Sequence, residues 1–170
     1  MDDARGGTPG CGTLAGMSLP VVALVAALLV PAPGPAPAGA EVTAALTVLH
    51  RWDADRSAAY VAGDGRRLEA LYAPGSSAGA ADVRLLGRYA AHGWRITSVT
   101  TQIRSVRVLV HTTGRWLLRT TDRVRGIADA PERCRPLPAG DYRTRDLELV
   151  RSGAMWVMAS VRPVPSRGSR

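Results

Sequence analysis

From Val42 the chain sets Val42, Leu46, Leu49 and Trp52 three and four residues apart, which lines them along one side of a helix. Such a stripe has to pack on something. Asp53, Asp55 and Arg56 occupy the next turn, and Ala58, Ala59, Tyr60 and Val61 carry the helix on to Gly63, a natural terminator. Asp64 follows where a carboxylate can accept from the free backbone amides of a new helix. Leu68, Leu71 and Tyr72 give that short second helix an inward side, and Pro74-Gly75-Ser76-Ser77 reads as a loop. Asp82, Val83, Leu85, Leu86 and Tyr89 then predict a third amphipathic helix from Ala80 to His92, closed by His92-Gly93.

Beyond Trp94 the period of the pattern falls from about 3.6 to about 2. Val106, Val108 and Val110 alternate with Arg107, Leu109 and His111, Thr112-Thr113-Gly114 turns the chain, and Trp116, Leu118 and Thr120 line the inner side of the returning strand. Arg115, Arg119, Arg123 and Arg125 share its other side, which is expected to face water. The stretch Asp129 to Asp141 holds three prolines and Gly140, too much proline for a central strand. A second hairpin is predicted from Tyr142 to Arg151 and from Ala154 to Arg162, turning at Ser152-Gly153. Helices first and strands afterwards predict an α+β fold, with one domain over 41–163 and a disordered tail over 164–170.

The 170 residues are enough for one domain with a proper core. The chain has no Lys, Asn or Phe, and all 22 of its basic residues are Arg. That bias is expected of coding DNA very rich in G and C, as in many bacteria, so the missing Lys is no sign of selection for bidentate phosphate binding. Between Glu41 and Trp94 six Arg offset six acids, whereas Arg95 to Arg170 holds fifteen Arg and six acids. The strand half therefore carries all of the surplus charge. A solvated basic face accounts for it, and an anionic envelope surface is the candidate partner. No nucleic-acid motif is present, so specific nucleic-acid binding is not expected.

The first eighteen residues are small and polar, and they precede an uncharged run from Leu19 to Val30 and a Pro/Ala-rich segment from Pro31 to Ala40. Twelve apolar residues fall short of the roughly 20 that span a bilayer but match the core of a secretory signal. Ala38-Gly39-Ala40 or Ala36-Pro37-Ala38 supplies the small residues of a cleavage site. The positive n-region is missing whether Met1 or Met17 is the start, and Cys11 precedes the apolar run, so it is no lipid-attachment site. A cleaved signal over 1–40, and with it a secreted or envelope location, is preferred to an uncleaved membrane anchor or a cytoplasmic tail.

The order of helix, Ala59-Tyr60-Val61-Ala62-Gly63-Asp64 break, and short helix ending in Leu71-Tyr72-Ala73-Pro74-Gly75-Ser76 resembles the nuclear transport factor 2-like superfamily, including its SnoaL-like proteins. A third helix and two long hairpins follow, and the closing Met155-Trp156-Val157-Met158-Ala159-Ser160-Val161 belongs to the same likeness, which spans 42–162. The resemblance implies a cone: three amino-terminal helices packed on a strongly bent four-stranded antiparallel sheet, with a pocket at the open end. Members with that cone include isomerases, dehydratases and cyclases as well as binding and accessory domains, so the fold does not supply the function.

The pocket candidates are Trp52, Tyr60, Tyr72, Tyr89, Trp116 and Asp122. Each Tyr has a plainer role, with its ring in the core and its hydroxyl on a backbone group. Asp122 stands alone among Arg and Thr on its strand, where a cross-strand ion pair is the simpler reading and a pocket base the sharper one. The four Trp, with Trp94 and Trp156 beside those named, suit core or rim packing. His111 is expected to be exposed at a hairpin end and His92 to be a cation at a helix C-terminus. Cys11, Cys134 and the three His lack ligand spacing, so no metal is expected, and no cofactor signature or Gly-rich phosphate loop occurs.

The sequence therefore favours an extracytoplasmic, non-catalytic domain that takes a small apolar ligand or a protein at the cone mouth. The alternative is a SnoaL-like enzyme moving protons with Asp122, Tyr60, Tyr72 or Tyr89. Amino-terminal sequencing of protein recovered from the envelope or culture fluid should read from Glu41. Finding only the full-length chain, in the cytoplasmic fraction, would overturn export.

Overall fold

A computed structural model of the chain describes residues 38–130, 133–137 and 140–165. The signal-like run and most of the Pro/Ala segment lie outside these residues, as do residues 166–170 of the tail, whose Val164 donates to the Thr144 carbonyl at 2.9 Å. The elements are α1 (Ala38–Ala62), α2 (Gly65–Glu69), α3 (Ser77–Ala91), β1 (Arg95–Thr112), β2 (Arg115–Ala130), β3 (Arg133–Pro136), β4 (Arg143–Ser152) and β5 (Met155–Pro163). α1 thus starts three residues ahead of Glu41 and carries Ala45, Leu49, Ala59 and Tyr60 into the core.

The helix ends follow local chemistry. Gly63 at φ 66° supplies the left-handed turn that ends α1, a conformation costly for any residue with a Cβ. The Asp64 carboxylate accepts from the Arg67 backbone amide at 2.9 Å and starts α2. Ser76 caps α3, so that helix opens at Ser77, three residues ahead of the predicted start: the serines that mark a loop by composition also make a good cap. His92 closes α3, its Nδ1 2.7 Å from the Arg88 carbonyl.

The sheet is antiparallel throughout, in the order β1-β2-β4-β5. Its β1–β2 ladder shifts register at three places, between Ile96 and Ser98, Ile103 and Ser105, and Val108 and Val110. Irregularities of this kind add twist and bend to a long hairpin, and they curve the sheet around the helices without closing it. The fold is the expected α+β cone with four long strands. The proline-rich connection adds what the sequence pattern did not show, a four-residue strand β3 on β2 at Ile127–Ala130, beyond the segment Arg115–Asp122 that pairs with β4. Proline is tolerated there because Pro136 ends a short edge strand.

Alternation decides the faces of β2. Trp116, Leu118, Thr120 and Asp122 are buried, while Arg115 and Arg125 are exposed and Arg119 and Arg123 partly so. The outward side is laced across strands: Arg119 forms two hydrogen bonds with Asp146, Arg115 one with Glu148, and Arg123 one with Gln102. The core on the inner side joins the helices to the sheet through Leu49, Leu68, Leu71, Leu86, Leu118, Leu149 and Met158. Residues 71–73 clip onto β5, with Met158 donating to the Leu71 carbonyl and Ala73 donating to that of Met158.

Two glycines of α3 test this packing against helix propensity. A Cβ on Gly79 would sit 2.7 Å from both Cβ and Cγ of Tyr72, whereas one on Gly87 would meet nothing within 4 Å. Gly87→Ala should stabilise by roughly 0.5–1 kcal/mol through propensity. Gly79→Ala should instead destabilise by about 1–3 kcal/mol through overpacking. Thermal melts followed by circular dichroism read both signs, and equal stabilisation by the two would contradict the close approach of α3 to Tyr72.

Candidate functional site

The cone encloses a cavity of about 400 Å³. α1 lends it Leu49, Trp52, Asp53 and Arg56, because positions three and four apart share the inward side of the helix. α3 contributes Ala78, Ala81 and Asp82 by the same rule, with Ser77 at its start. Alternate residues of the strands complete the lining: Thr101 and Ile103 from β1, Thr120, Asp122 and Val124 from β2, Arg145 and Leu147 from β4, and Met158 and Val161 from β5. Ser77 and Ala81 are exposed, so they mark the opening.

Two polar clusters are set in this lining. In the first, Arg56 spans from α1 to α3 and grips Asp82 with both ends of its fork, Nε to Oδ2 at 2.5 Å and Nη2 to Oδ1 at 2.9 Å. Tyr72 donates its hydroxyl to the same Oδ2, and Tyr60 donates to the Asp82 backbone carbonyl at 3.2 Å. Asp53, 3.9 Å from Arg56, accepts from both the backbone amide and the hydroxyl of Thr101 at 2.8 and 2.6 Å. The Arg56 guanidinium also lies 5.0 Å from the Tyr60 ring centre and 5.9 Å from that of Trp52. In the second cluster Arg145 pairs with Asp122 Oδ1 through Nη2, and Thr120 donates to Asp122 Oδ2 at 2.6 Å.

Burial on its own would raise the pKa of Asp82, but the hydrogen bonds and charge of Arg56, with the Tyr72 hydroxyl, outweigh it and hold the group below the usual carboxylate range. Burial would likewise lower Arg56, yet its bonds to Asp82 and the charge of that carboxylate leave it raised. Tyr72 and Tyr60 are pushed well above an ordinary phenol, first by burial and then by the negative charge of Asp82. The first cluster is thus fixed as a carboxylate, a guanidinium and two neutral phenols.

Of the residues singled out in the sequence, Trp52, Tyr72 and Asp122 line the cavity together. Tyr60 is buried behind it on Asp82, Tyr89 stacks on Trp94 at 5.9 Å, and Trp116 lies under His111 with ring centres 3.5 Å apart. Asp122 forms the cross-strand ion pair expected of it. Arg56, Asp82, Asp53, Thr101 and Arg145 were not singled out. A signal existed for three of them: Arg56 continues the stripe Leu49–Trp52, Asp82 stands on the stripe Leu86–Tyr89, and Arg145 alternates with Leu147 and Leu149. Among the described residues no group of three or more His, Cys, Asp or Glu is placed to hold a metal ion, and no helix is long and apolar enough to cross a membrane.

Comparison with protein-family models and with curated proteins gives no match. Solved structures do match. The intermembrane space region of the chloroplast protein ARC6 superposes with a TM-score of 0.53 at 16% identity, over 74% of this chain and 97% of that one. Rv3472, a protein of unknown function from Mycobacterium tuberculosis, gives 0.50 at 11% identity over 78% of each chain. A Streptomyces avermitilis protein from the nuclear transport factor 2-like family gives 0.46 at 15%, over 73% and 99%. The likeness is one of fold. Identities this low carry no site residue across.

The first cluster should behave as one unit. Arg56→Met or Asp82→Leu alone should cost about 3–5 kcal/mol, because each strands a buried charge, while the double variant should recover most of that loss. Denaturant melts at neutral pH measure the cycle, and simple additivity would show that the two groups are not coupled. Because the pKa of Asp82 is lowered by folding, the pair's contribution is present above the ordinary carboxylate value of about 4 and lost as pH falls below it. The raised tyrosines act in the opposite sense, so stability should also decline as pH climbs past about 10.

Proposed function

We propose that this domain is a non-catalytic binding module that takes a small, mainly apolar molecule into the cone cavity. One observation carries the reading: every carboxylate in the lining is already engaged by donors of the protein. Asp82 is held by Arg56 and Tyr72, Asp53 by the two donors of Thr101, and Asp122 by Arg145 and Thr120. A general base needs an accessible lone pair and a pKa near the working pH. Asp82 is moved the other way. What the cavity offers a guest is apolar wall from Leu49, Trp52, Ile103, Val124, Leu147 and Met158, and its volume suits a small organic molecule.

The competing reading is a proton-transfer enzyme, and the Tyr72–Asp82 contact inside the cavity is what favours it. In that arrangement the phenol donates to a carboxylate that Arg56 keeps ionised, and its own raised pKa makes it a poor acid. The pair is better suited to hold α2 and α3 together than to move a substrate proton. The apolar run, the Pro/Ala segment and the small residues before Glu41 support an extracytoplasmic setting for the binding module.

Native mass spectrometry of the protein purified from its own host should show a non-covalently retained small molecule. Ala81→Trp, which places an indole at the opening from an exposed position, should abolish retention with a change in stability of less than about 1 kcal/mol. Retention undiminished by the indole would place the guest elsewhere, and turnover of the retained molecule on incubation would establish the enzyme reading.

A further inference from the structure

The lining polar groups satisfy one another with one conspicuous remainder. Trp52 donates to the Leu71 carbonyl, Arg56 to Asp82, Tyr72 to Asp82, Thr101 to Asp53 and Thr120 to Asp122. Arg145 differs. Its Nη2 holds Asp122, its Nε is a buried nitrogen without a hydrogen-bond partner among the described residues and is closed to a guest, and the remainder of its side chain, 26% exposed, lines the cavity. A guanidinium has five N–H donors and no acceptor, so Arg145 can be completed only by an acceptor. The Asp122 oxygens cannot serve further as easily, since one is bonded to Arg145 already and the other to Thr120.

The charge of the lining limits which acceptor that is. Asp53, Asp82 and Asp122 face Arg56 and Arg145, an excess of one negative charge around a largely apolar space. A carboxylate or phosphate brought in beside Asp122 would add to that excess at low dielectric and lose its own hydration. A neutral carbonyl oxygen takes a guanidinium N–H on the exposed part of Arg145 at no such cost, and donors aimed at an acceptor are worth most where water is excluded. Resting on the cavity-binding reading above, we infer that Arg145 anchors the guest, and that the guest is an uncharged, mainly apolar molecule presenting a carbonyl oxygen of the ester or amide type. Asp122 and Thr120 then act as positioning residues that hold the guanidinium against the lining.

Three probes on one skeleton separate the terms: naphthalene, methyl 2-naphthoate and the 2-naphthoate anion, titrated against the purified chain by the quenching of tryptophan fluorescence, Trp52 being in the lining. The ester should bind at least about tenfold tighter than naphthalene, the factor expected of one hydrogen bond from a charged donor, and tighter than the anion. In Arg145→Met/Asp122→Leu, which replaces the whole ion pair by apolar groups and so leaves no stranded charge, naphthalene should bind as before while the ester's advantage disappears. Should that variant fail to fold, Arg145→Gln/Asp122→Asn keeps a neutral hydrogen-bonded pair, and there the advantage should fall to about threefold or less.

Tightest binding by 2-naphthoate would overturn the inference in favour of an anion site. An ester advantage that survives loss of Arg145 would overturn it by assigning the anchor to another lining group. If naphthalene binds and the ester gains nothing over it, the cavity reading stands and the anchor fails. If none of the three binds, the cavity reading itself fails and takes the anchor with it.

Discussion

The arrangement of this domain depends on a salt bridge that is almost out of water. The Arg56 side chain is 8% exposed and that of Asp82 14%, and together they join the first helix to the third. Removing two charges from water is costly, and their attraction offsets that only when the remaining donors and acceptors are filled. Here they are filled by geometry that no single helix supplies: both ends of the Arg56 fork, the Tyr72 hydroxyl from the connection between α2 and α3, and the rings of Trp52 and Tyr60 beneath the guanidinium. The helices can therefore take one relative placement. The Asp53 contacts to Thr101 extend the same demand to β1, so the helical layer is registered on the sheet as well as on itself.

This demand places paired charges among the apolar walls of the cavity and supports the non-catalytic reading proposed above. A carboxylate that must be fully bonded to tolerate burial has little left to offer a substrate, and the Arg that completes it keeps it from acting as a base near neutral pH. On the proposed reading, the residues that tie the helices to one another and to the sheet are also the ones whose chemistry resembles an acid–base site. Asp122 shows the same logic on the sheet: buried to 2% exposure, it is matched by a strand neighbour from β4 and by Thr120 two residues away on its own strand.

Much of the fold could be read in advance because it is written in local periods. The stripe from Val42 to Trp52, the cap at Asp64, the change of period after Trp94 and the Ser152-Gly153 turn each depend on neighbours within a few residues. The site was harder, since its contacts join residues 26 and 48 positions apart, Arg56 to Asp82 and Asp53 to Thr101. Even so, part of it was within reach. Arg56 and Asp82 are opposite charges standing on the buried stripes of two helices, and a charge on an apolar stripe needs a partner from another element. Arg145 precedes Leu147 and Leu149 at alternate positions, which places it on their side of the strand. The short strand β3 was hidden for a different reason: proline argues against a central strand, and that argument is silent about an edge.

The same distinction between local and paired information applies to the basic half of the chain. Counted along the sequence, fifteen Arg against six acids from Arg95 onwards suggest a face made for anions. In the folded sheet two of those acids stand opposite or diagonal to Arg on the outward side, Asp146 against Arg119 in register and Glu148 within reach of Arg115 and Arg162. Two more Arg, Arg104 and Arg123, lie over the ring of Tyr142 at 5.7 and 4.4 Å. Arg side chains used this way lay their planar heads on carboxylates and aromatic faces, which orders them and reduces the charge they present. An anion meeting this face would have to compete with partners already in place. The outer surface is thus built in part from Arg with partners of their own, and on the binding reading proposed above it is the cavity on the other side of the sheet that has room for specific recognition.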